Sequence, residues 1–144
     1  MPEQQVLTHL VAVNAFLLKE NRFLLLKRND PPFIWGPPGG KLGINEDPVT
    51  GLKREVNEET GLEIEVNMPV TTWFGTFGNK KIFAVDYLCY YKSGIIKLSN
   101  EHDSFRWLSL KELQVNKREY FTSKFGFKYK HFKLAWKIYN SFKR

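Results

Sequence analysis

Four charged side chains lie close together in one short segment of the chain: Arg54, Glu55, Glu58 and Glu59. At about 100° per residue, a helix through this segment places all four on one side. Glu55 then forms like-charge pairs with Glu58 and Glu59, each of which destabilises an isolated helix by about 0.2–0.5 kcal/mol. A divalent cation would offset this repulsion, and clustered carboxylate oxygens suit Mg²⁺ or Mn²⁺ better than Zn²⁺. The spacing therefore indicates a hard-metal site, with a plain solvated acidic face as the alternative.

The residues around these acids carry signals for both ends of a helix. Asp47-Pro48 is typical of an N-cap followed by proline at the first helical position, and Gly61 is typical of a left-handed C-terminal residue. We therefore predict a helix over residues 48–60. Its apolar positions repeat on one side and predict the buried face: Val49, Leu52, Val56 and Thr60.

A glycine-rich loop, Gly39-Gly40-Lys41-Leu42-Gly43, precedes this helix. Glycines let backbone amides and carbonyls approach an ion or a phosphate closely, and Lys41 adds a mobile cation for phosphate. The loop and the acids together indicate attack on a phosphoanhydride. In such a reaction a metal ion neutralises charge on the phosphate oxygens and lowers the pKa of a bound water.

The segment from Gly40 to Leu62 matches the Nudix box at every specified position. Gly40 is followed by five residues, Glu46, seven residues and then Arg54-Glu55-Val56-Asn57-Glu58-Glu59-Thr60-Gly61-Leu62. The match covers 23 of 144 residues, and the predicted order of strands and helices around it is also similar. The chain therefore resembles the Nudix hydrolase family. The resemblance implies an α/β/α sandwich with a mixed β-sheet, which cleaves a nucleoside diphosphate linked to another group with Mg²⁺ or Mn²⁺.

The resemblance also implies roles for individual residues. Glu58 and Glu59 would be metal ligands, and the Gly39 carbonyl would be a third. Glu55 would be a further ligand or the base that activates water. Arg54 would orient its carboxylate neighbours.

Other positions of the resemblance have alternatives. In this family the base can come from a later loop, where Glu101-His102-Asp103 offers candidates and Glu101 is our second choice after Glu55. Glu46 would support the loop structurally. Gly51 stands where the family often has alanine, and a helix-interior glycine costs about 1 kcal/mol, so we expect it to permit close packing against the sheet.

Substrate contacts are expected from cationic and aromatic residues outside the helix. Arg28 would lie near the phosphates if the family's arrangement holds, with simple solvation of a sheet edge as the alternative, and Lys41 would join it. Aromatic planes stack on bases, although core packing is the alternative for each of them. The aromatic candidates are Phe33, Trp35, Phe74 and Phe83, of which we select Phe74 and Phe83. The histidines show no ligand spacing, so we expect no metal binding by histidine.

The rest of the pattern predicts mainly strands. Alternating or apolar runs between turn residues predict strands over residues 10–18, 22–28, 62–66, 70–77, 82–91 and 105–108. Residues 35–40 hold three Gly and two Pro, which predicts an irregular loop, and no helix is expected over residues 29–46. Ser109 with Glu112 predicts a capping box that opens a short helix over residues 109–113.

The net charge of +7 is concentrated near the C-terminus. Residues 1–100 hold 11 Lys+Arg and 11 Asp+Glu, whereas residues 101–144 hold 11 and 4. We predict a basic amphipathic helix over about 128–143, with Lys130, Lys133 and Lys137 opposite an apolar stripe. Its stripe should dock on the sheet while the lysines stay in water, so nucleic-acid binding is possible but not favoured. The stripe contains Phe132, Ala135, Trp136, Tyr139 and Phe142.

Composition and length narrow the class of protein. The 144 residues fit a single domain over 1–144, and 42% hydrophobic with 26% charged residues argues against disorder. The apolar runs are too short for a membrane-spanning helix and the N-terminus lacks a signal-like pattern, so we expect a cytoplasmic protein without membrane partners. A homodimer is possible.

The sequence therefore predicts an enzyme with a nucleotide substrate. Our first hypothesis is a pyrophosphohydrolase that converts a nucleoside triphosphate, possibly modified, into a nucleoside monophosphate and pyrophosphate. The alternatives are an ADP-ribose or nucleotide-sugar pyrophosphatase, an RNA 5′-phosphate hydrolase and a nucleic-acid-binding protein of this family.

Overall fold

The computed structural model describes residues 7–122 and 126–143, which form a mixed sheet with helices on both faces. The strands are β1 His9–Lys19, β2 Arg22–Arg28, β3 Trp35–Gly36, β4 Gly39–Lys41, β5 Glu63–Phe77, β6 Lys80–Ser93 and β7 His102–Leu108. The helices are α1 Pro48–Thr60, α2 Leu110–Val115, α3 Lys117–Tyr120 and α4 Tyr129–Ser141. The α/β class predicted from the sequence is confirmed.

The sheet is built around β1 and β6. The order β3-β2-β1-β6-β5 places these two strands side by side, and they pair in parallel. The other pairings are antiparallel, including β4 with β1 and β7 with β2. As a result β1 contacts both the glycine-rich strand β4 and the strand β6.

Alternation along β1 and β6 creates two apolar cores, one on each face of the sheet. Val13, Ala15 and Leu17 of β1 pack on the face covered by α1, which contributes Leu52 and Val56. The opposite face of the sheet packs against α2, α3 and α4. Its buried residues include Phe16, Leu18, Phe23, Leu25, Leu88, Leu113, Tyr120, Phe132 and Ala135. The sandwich of helix, sheet and helix agrees with the expectation from the sequence.

Each predicted strand corresponds to an observed one, but six strands are predicted and the described residues form seven, with some different boundaries. The predicted irregular loop contains β3 and β4, because Trp35–Gly36 pairs with β2 and Gly39–Lys41 pairs with β1. The two strands predicted over 62–66 and 70–77 are one continuous strand, β5, with register shifts around Met68 and after Pro69. A proline is tolerated there because β5 ends the strand order within the described residues, and proline has no N–H to donate.

The predicted helices are confirmed, with corrections to their faces. Val49 is 40% exposed, whereas the acid Glu59 is only 4% exposed and belongs to the buried side of α1. In α4, Phe132 and Ala135 are buried while Lys130, Lys133 and Lys137 are exposed. Phe142 does not belong to the packed stripe, since it follows the last helical residue and is exposed.

Among the helices of residues 7–122 and 126–143, none has both the length and the apolar character that a membrane span requires.

Candidate functional site

Helix α1 places its acids against the backbone of β4. The Asp47 side chain accepts a hydrogen bond from the Thr50 amide at 3.0 Å, and Gly61 ends the helix with φ of 77°. Between these caps, Glu59 Oε1 accepts a hydrogen bond from the Gly39 amide at 2.8 Å. A methyl group on Gly40 would overlap the carboxylate of Glu55. Gly40 therefore leaves the space in which the carboxylate of Glu55 approaches the strand.

Arg54 gathers the neighbouring carboxylates. Its Nε and Nη2 donate to the two oxygens of Glu46 at 2.7 and 2.8 Å. Its Nη1 lies 3.1 Å from both Glu55 Oε1 and Glu58 Oε2. This arrangement supports the expectation that Arg54 orients its neighbours, and it shows Glu58 in an ion pair on the exposed side of α1.

Glu46 anchors the loop in front of the helix. Besides its two bonds to Arg54, it accepts a hydrogen bond from the Gly43 amide at 2.9 Å. The Arg54 hydrogen bond and then the Gly43 amide lower the pKa of Glu46 to about 2. A methyl group on Gly51 would overlap Leu42 Cδ2 and lie 2.9 Å from Glu46 Oε1. Gly51 therefore permits packing against this loop, not against the sheet as expected.

Glu59 is a buried acid without a full counter-charge. Burial raises its pKa to about 8, and the charges of Glu55, Glu101 and Glu58 add to the rise, while the Gly39 amide opposes it. The pKa of Glu55 is also raised, first by burial and then by its acidic neighbours, against the charge of Arg54. A divalent cation beside these two carboxylates would stabilise their ionised forms and offset the cost of burying them together.

A second loop brings two more groups to Glu59. The amides of Lys97 and Ser99 donate to the backbone carbonyls of Thr60 at 2.8 Å and of Glu59 at 3.1 Å. At the far end of this loop, the Asn29 amide donates to the Glu101 carbonyl at 3.1 Å. The loop is thereby held between the end of α1 and the end of β2.

This loop completes a possible metal-binding group that includes a histidine. Donor atoms of Glu59, Glu101 and His102 lie within 4.8 Å of one another. His102 Nδ1 is buried and makes no hydrogen bond within the described residues, and it lies 3.5 Å from Glu59 Oε2. Burial lowers the pKa of His102, which favours the neutral form that binds metals. The sequence predicts Glu101 at the active site as an alternative base, but it predicts no histidine ligand. Only the position of His102 next to Glu101 in the chain could have indicated this histidine.

A cavity of about 540 Å³ opens on the sheet face that carries α4. The polar side chains of its sheet wall include Asn14 and Asp86, and Arg28 also lines the cavity. Arg28 Nε is buried and has no hydrogen-bond partner within the described residues, while Nη2 bonds Asp30 Oδ1 at 3.1 Å. Because Arg28 is the register partner of His102, the arginine connects the cavity with the acidic group.

The predicted substrate-binding residues lie in different parts of the structure, and only Arg28 among them lines the cavity. Arg28 lines the cavity, whereas Lys41 is exposed on β4 and its carbonyl accepts from Arg54 Nη2 at 3.2 Å. Phe74 and Phe83 are register partners on the opposite sheet face and are 60% and 40% exposed. Their position does not fit base stacking in this cavity, because the side-chain alternation turns them away from it. The aromatic side chains that line it are Trp73, Phe77 and Phe127.

Comparisons with known proteins agree with this architecture. The family model of the NUDIX domain matches residues 8–127. A "MutT-like protein" from Streptomyces ambofaciens is 32% identical over 111 residues, which cover 77% of this chain and 71% of that protein. A mouse "Bis(5′-nucleosyl)-tetraphosphatase [asymmetrical]" is 33% identical over 97 residues, which cover 62% of this chain and 65% of that protein.

A solved structure shows the same fold. The structure of a MutT protein from Methanosarcina mazei Go1 matches with a TM-score of 0.71 and 26% identity, covering 94% of this chain and 96% of that one. The region that the family model matches ends at residue 127, and helix α4 begins after it, at Tyr129. The resemblance seen in the Gly40–Leu62 motif is thus confirmed: this chain belongs to the Nudix hydrolase family, whose members hydrolyse phosphoanhydride bonds with a divalent metal ion.

Proposed function

We propose that this protein is a pyrophosphohydrolase that cleaves a nucleoside triphosphate into a nucleoside monophosphate and pyrophosphate. The observation that carries the proposal is that Arg28, which lines a cavity of about 540 Å³, is the register partner of His102, whose Nδ1 lies 3.5 Å from Glu59 Oε2. A cavity of this size holds a nucleoside. A phosphate chain that leaves it past Arg28 reaches the acids of α1.

The acids of α1 and the Gly39 carbonyl are the proposed metal ligands. Burial raises the pKa of both Glu59 and Glu55, so a cation would relieve the cost of keeping them ionised, and His102 Nδ1, which has no hydrogen-bond partner within the described residues, is a further potential ligand atom. Glu58 would join the site by giving up its ion pair with Arg54. When bound, Mg²⁺ or Mn²⁺ would neutralise phosphate oxygens and lower the pKa of a bound water.

The general base is proposed to be Glu55 or Glu101. Glu55 already contacts Arg54, which holds it against Gly40. Glu101 comes from the opposite side of the site, and its charge acts on both Glu55 and Glu59. A carboxylate that does not hold the metal is the better acceptor for the proton of the attacking water. Glu101 is therefore the base if Glu55 is a ligand, and Glu55 is the base if Glu101 holds the metal with Glu59 and His102.

Arg28 and Lys41 are the proposed phosphate contacts. The buried Nε of Arg28 is a donor with no partner within the described residues, and an anionic oxygen would satisfy it. Lys41 is exposed beside the acids and can neutralise the leaving pyrophosphate. The lysines of α4 lie on a different surface, behind a packed aromatic stripe, so nucleic acid is not favoured as a substrate.

A dinucleoside polyphosphate is the second candidate substrate. The likeness to the mouse bis(5′-nucleosyl)-tetraphosphatase favours it. Such a substrate would place one nucleoside in the cavity and leave the other outside it. ADP-ribose and nucleotide sugars also contain the diphosphate that the site requires, so they are further candidate substrates.

A substrate panel tests the proposal. Nucleoside triphosphates, dinucleoside tetraphosphates, ADP-ribose and a nucleotide sugar are each incubated with Mg²⁺ and with Mn²⁺, and the products are separated by ion-exchange chromatography. We expect the highest kcat/KM for a triphosphate, with monophosphate and pyrophosphate as products. Release of inorganic phosphate, or a preference for another substrate of the panel, would contradict the proposal.

Gly40→Ala should reduce turnover by about tenfold or more, because the added methyl group displaces the carboxylate of Glu55 from its position. The matched control is Gly36→Ala, whose methyl group would lie 3.8 Å from Phe127 Cδ2, an ordinary contact. Both variants are compared by kcat and by melting temperature. Equal activity of Gly40→Ala and the unmodified protein would show that Glu55 needs no exact placement.

A further inference from the structure

A carboxyl and an amide at the sheet wall of the cavity have no role in the hydrolysis described above. Asp86 of β6 is 2% exposed, and Asn14 Nδ2 donates to its Oδ1 at 3.0 Å. We propose that Asp86, positioned by Asn14, reads the nucleobase and selects bases that present two neighbouring N–H donors on one edge, as guanine does. This inference rests on the proposed function, since it names the base that the cavity accepts.

The buried position of Asp86 is energetically costly unless a ligand forms hydrogen bonds with its carboxylate. Transfer of a carboxylate out of water is unfavourable unless hydrogen bonds replace the lost hydration. Asn14 supplies one such bond, yet a carboxylate accepts up to about four. Burial raises the pKa of Asp86 to about 6, with the Asn14 bond opposing the rise, so the group is mainly ionised at pH 7.5. Asp86 lines the cavity, and within the described residues only Asn14 donates a hydrogen bond to its carboxylate, so a ligand there can use the remaining acceptor positions.

The hydrogen-bond pattern of guanine complements this acceptor. Its N1–H and its exocyclic amine lie side by side and can reach the carboxylate together. Adenine and cytosine instead place a ring-nitrogen acceptor beside their amine, and an acceptor facing an anion is repelled. A site built to bond a particular donor rejects an analogue without it strongly, because the buried partner is then left unpaired.

The rest of the cavity fits a planar, largely apolar group. Trp73, Phe77 and Phe127 line it and can stack on a base face without regard to which base it is. Stacking therefore contributes affinity, while Asp86 contributes selection.

The position of Asp86 relative to the phosphate site is also suitable. Asn14 is the register partner of both Gly39 on β4 and Asp86 on β6. Neighbouring strands are about 4.7–4.9 Å apart, so Asp86 lies about 10 Å across the sheet from Gly39. A base that bonds Asp86 can thus keep its 5′-phosphates near Gly39 and Arg28.

Binding of nucleoside monophosphates to the intact protein, with metal removed, tests the inference without catalysis. By isothermal titration calorimetry we expect GMP to bind about tenfold or more tightly than AMP. Inosine monophosphate lacks the exocyclic amine and should bind about tenfold more weakly than GMP, a comparison that needs no variant. If AMP binds as tightly as GMP, or if inosine monophosphate equals GMP, the inference is wrong.

The variant Asp86→Asn keeps the shape of the side chain and removes the charge. We expect its affinity for GMP to fall about tenfold, with the preference over AMP lost. Glu65→Gln, at an exposed position of β5, is the control for loss of one acid and should keep the preference. Retained selectivity in a folded Asp86→Asn protein would overturn the inference. If triphosphates are hydrolysed without base selection, the inference fails and the proposed function stands. If GMP is bound selectively but no nucleotide is hydrolysed, the proposed function fails and the assignment of Asp86 stands.

Discussion

Glu59→Gln should lower metal-dependent nucleotide hydrolysis by about a thousandfold or more. The carboxylate lies at the centre of the acidic group, within reach of Glu55, Glu101 and the Gly39 amide. Its replacement by an amide removes an anionic ligand, and metal-centred charge stabilisation is worth several kcal/mol in the transition state. The measurement is kcat at saturating Mg²⁺ and Mn²⁺.

The fold of this variant should survive, because the amide has nearly the shape of the acid and carries no charge to bury. The matched control is Glu63→Gln, an exposed acid just beyond α1 that accepts a hydrogen bond from Asn57 at 3.1 Å. We expect its kcat to stay within twofold of the unmodified protein, since a surface change of this kind has a small effect. A Glu59→Gln protein that melts normally and retains full activity would exclude the proposed metal site.

The metal-free protein should lose stability as the pH rises, and a divalent metal ion should restore it. The pKa of Glu59 is raised by burial from 4.5 to about 8, so the folded state binds its proton more tightly than the unfolded state. This contribution to stability is fully present below about pH 4.5 and is lost as the pH rises through 8. A cation binds the ionised carboxylates of the folded state, and by mass action it raises the melting temperature most at high pH.

The contribution of Glu59 to stability can be measured between pH 6.5 and 8.5. Burial also raises the pKa of Asp86, to about 6, so its contribution declines mainly at lower pH. Burial lowers the pKa of His102, so its contribution is lost only as the pH falls below about 6.5. In this window we expect the melting temperature to fall by about 5 °C without metal, and by less in Glu59→Gln. No rise in melting temperature at millimolar Mg²⁺ and pH 8 would contradict the assignment.

Several features of the site could be predicted from the sequence because they depend on neighbouring residues. Asp47 and Gly61 determine the ends of α1 through hydrogen bonds that span three or four positions. The i,i+3 and i,i+4 spacing then places Arg54, Glu55 and Glu58 together whatever surrounds the helix. The motif that identified the family lies within this same segment.

The face of the sheet on which an aromatic residue lies could not be predicted. Phe74 and Phe83 were selected for stacking, yet Trp73 and Phe77 line the cavity. Neighbouring strand residues point to opposite faces, and both faces of β5 and β6 carry apolar side chains here. Which of two adjacent aromatics reaches a ligand depends on which face holds the cavity, and tertiary packing determines that.

Helix α1, its acids and the family can be predicted from the order of residues 40–62 alone. Which acid is buried, and which distant groups join it, depends on how the chain folds: pairing of β4 with β1 brings Gly39 to Glu59, and the loop before β7 brings Glu101 and His102. The two kinds of feature differ in the range of the interactions that produce them. Helix caps and side-chain spacing act over a few residues, whereas the desolvation that raises the pKa of Glu59 depends on segments 20 to 43 positions away that meet only in the folded protein.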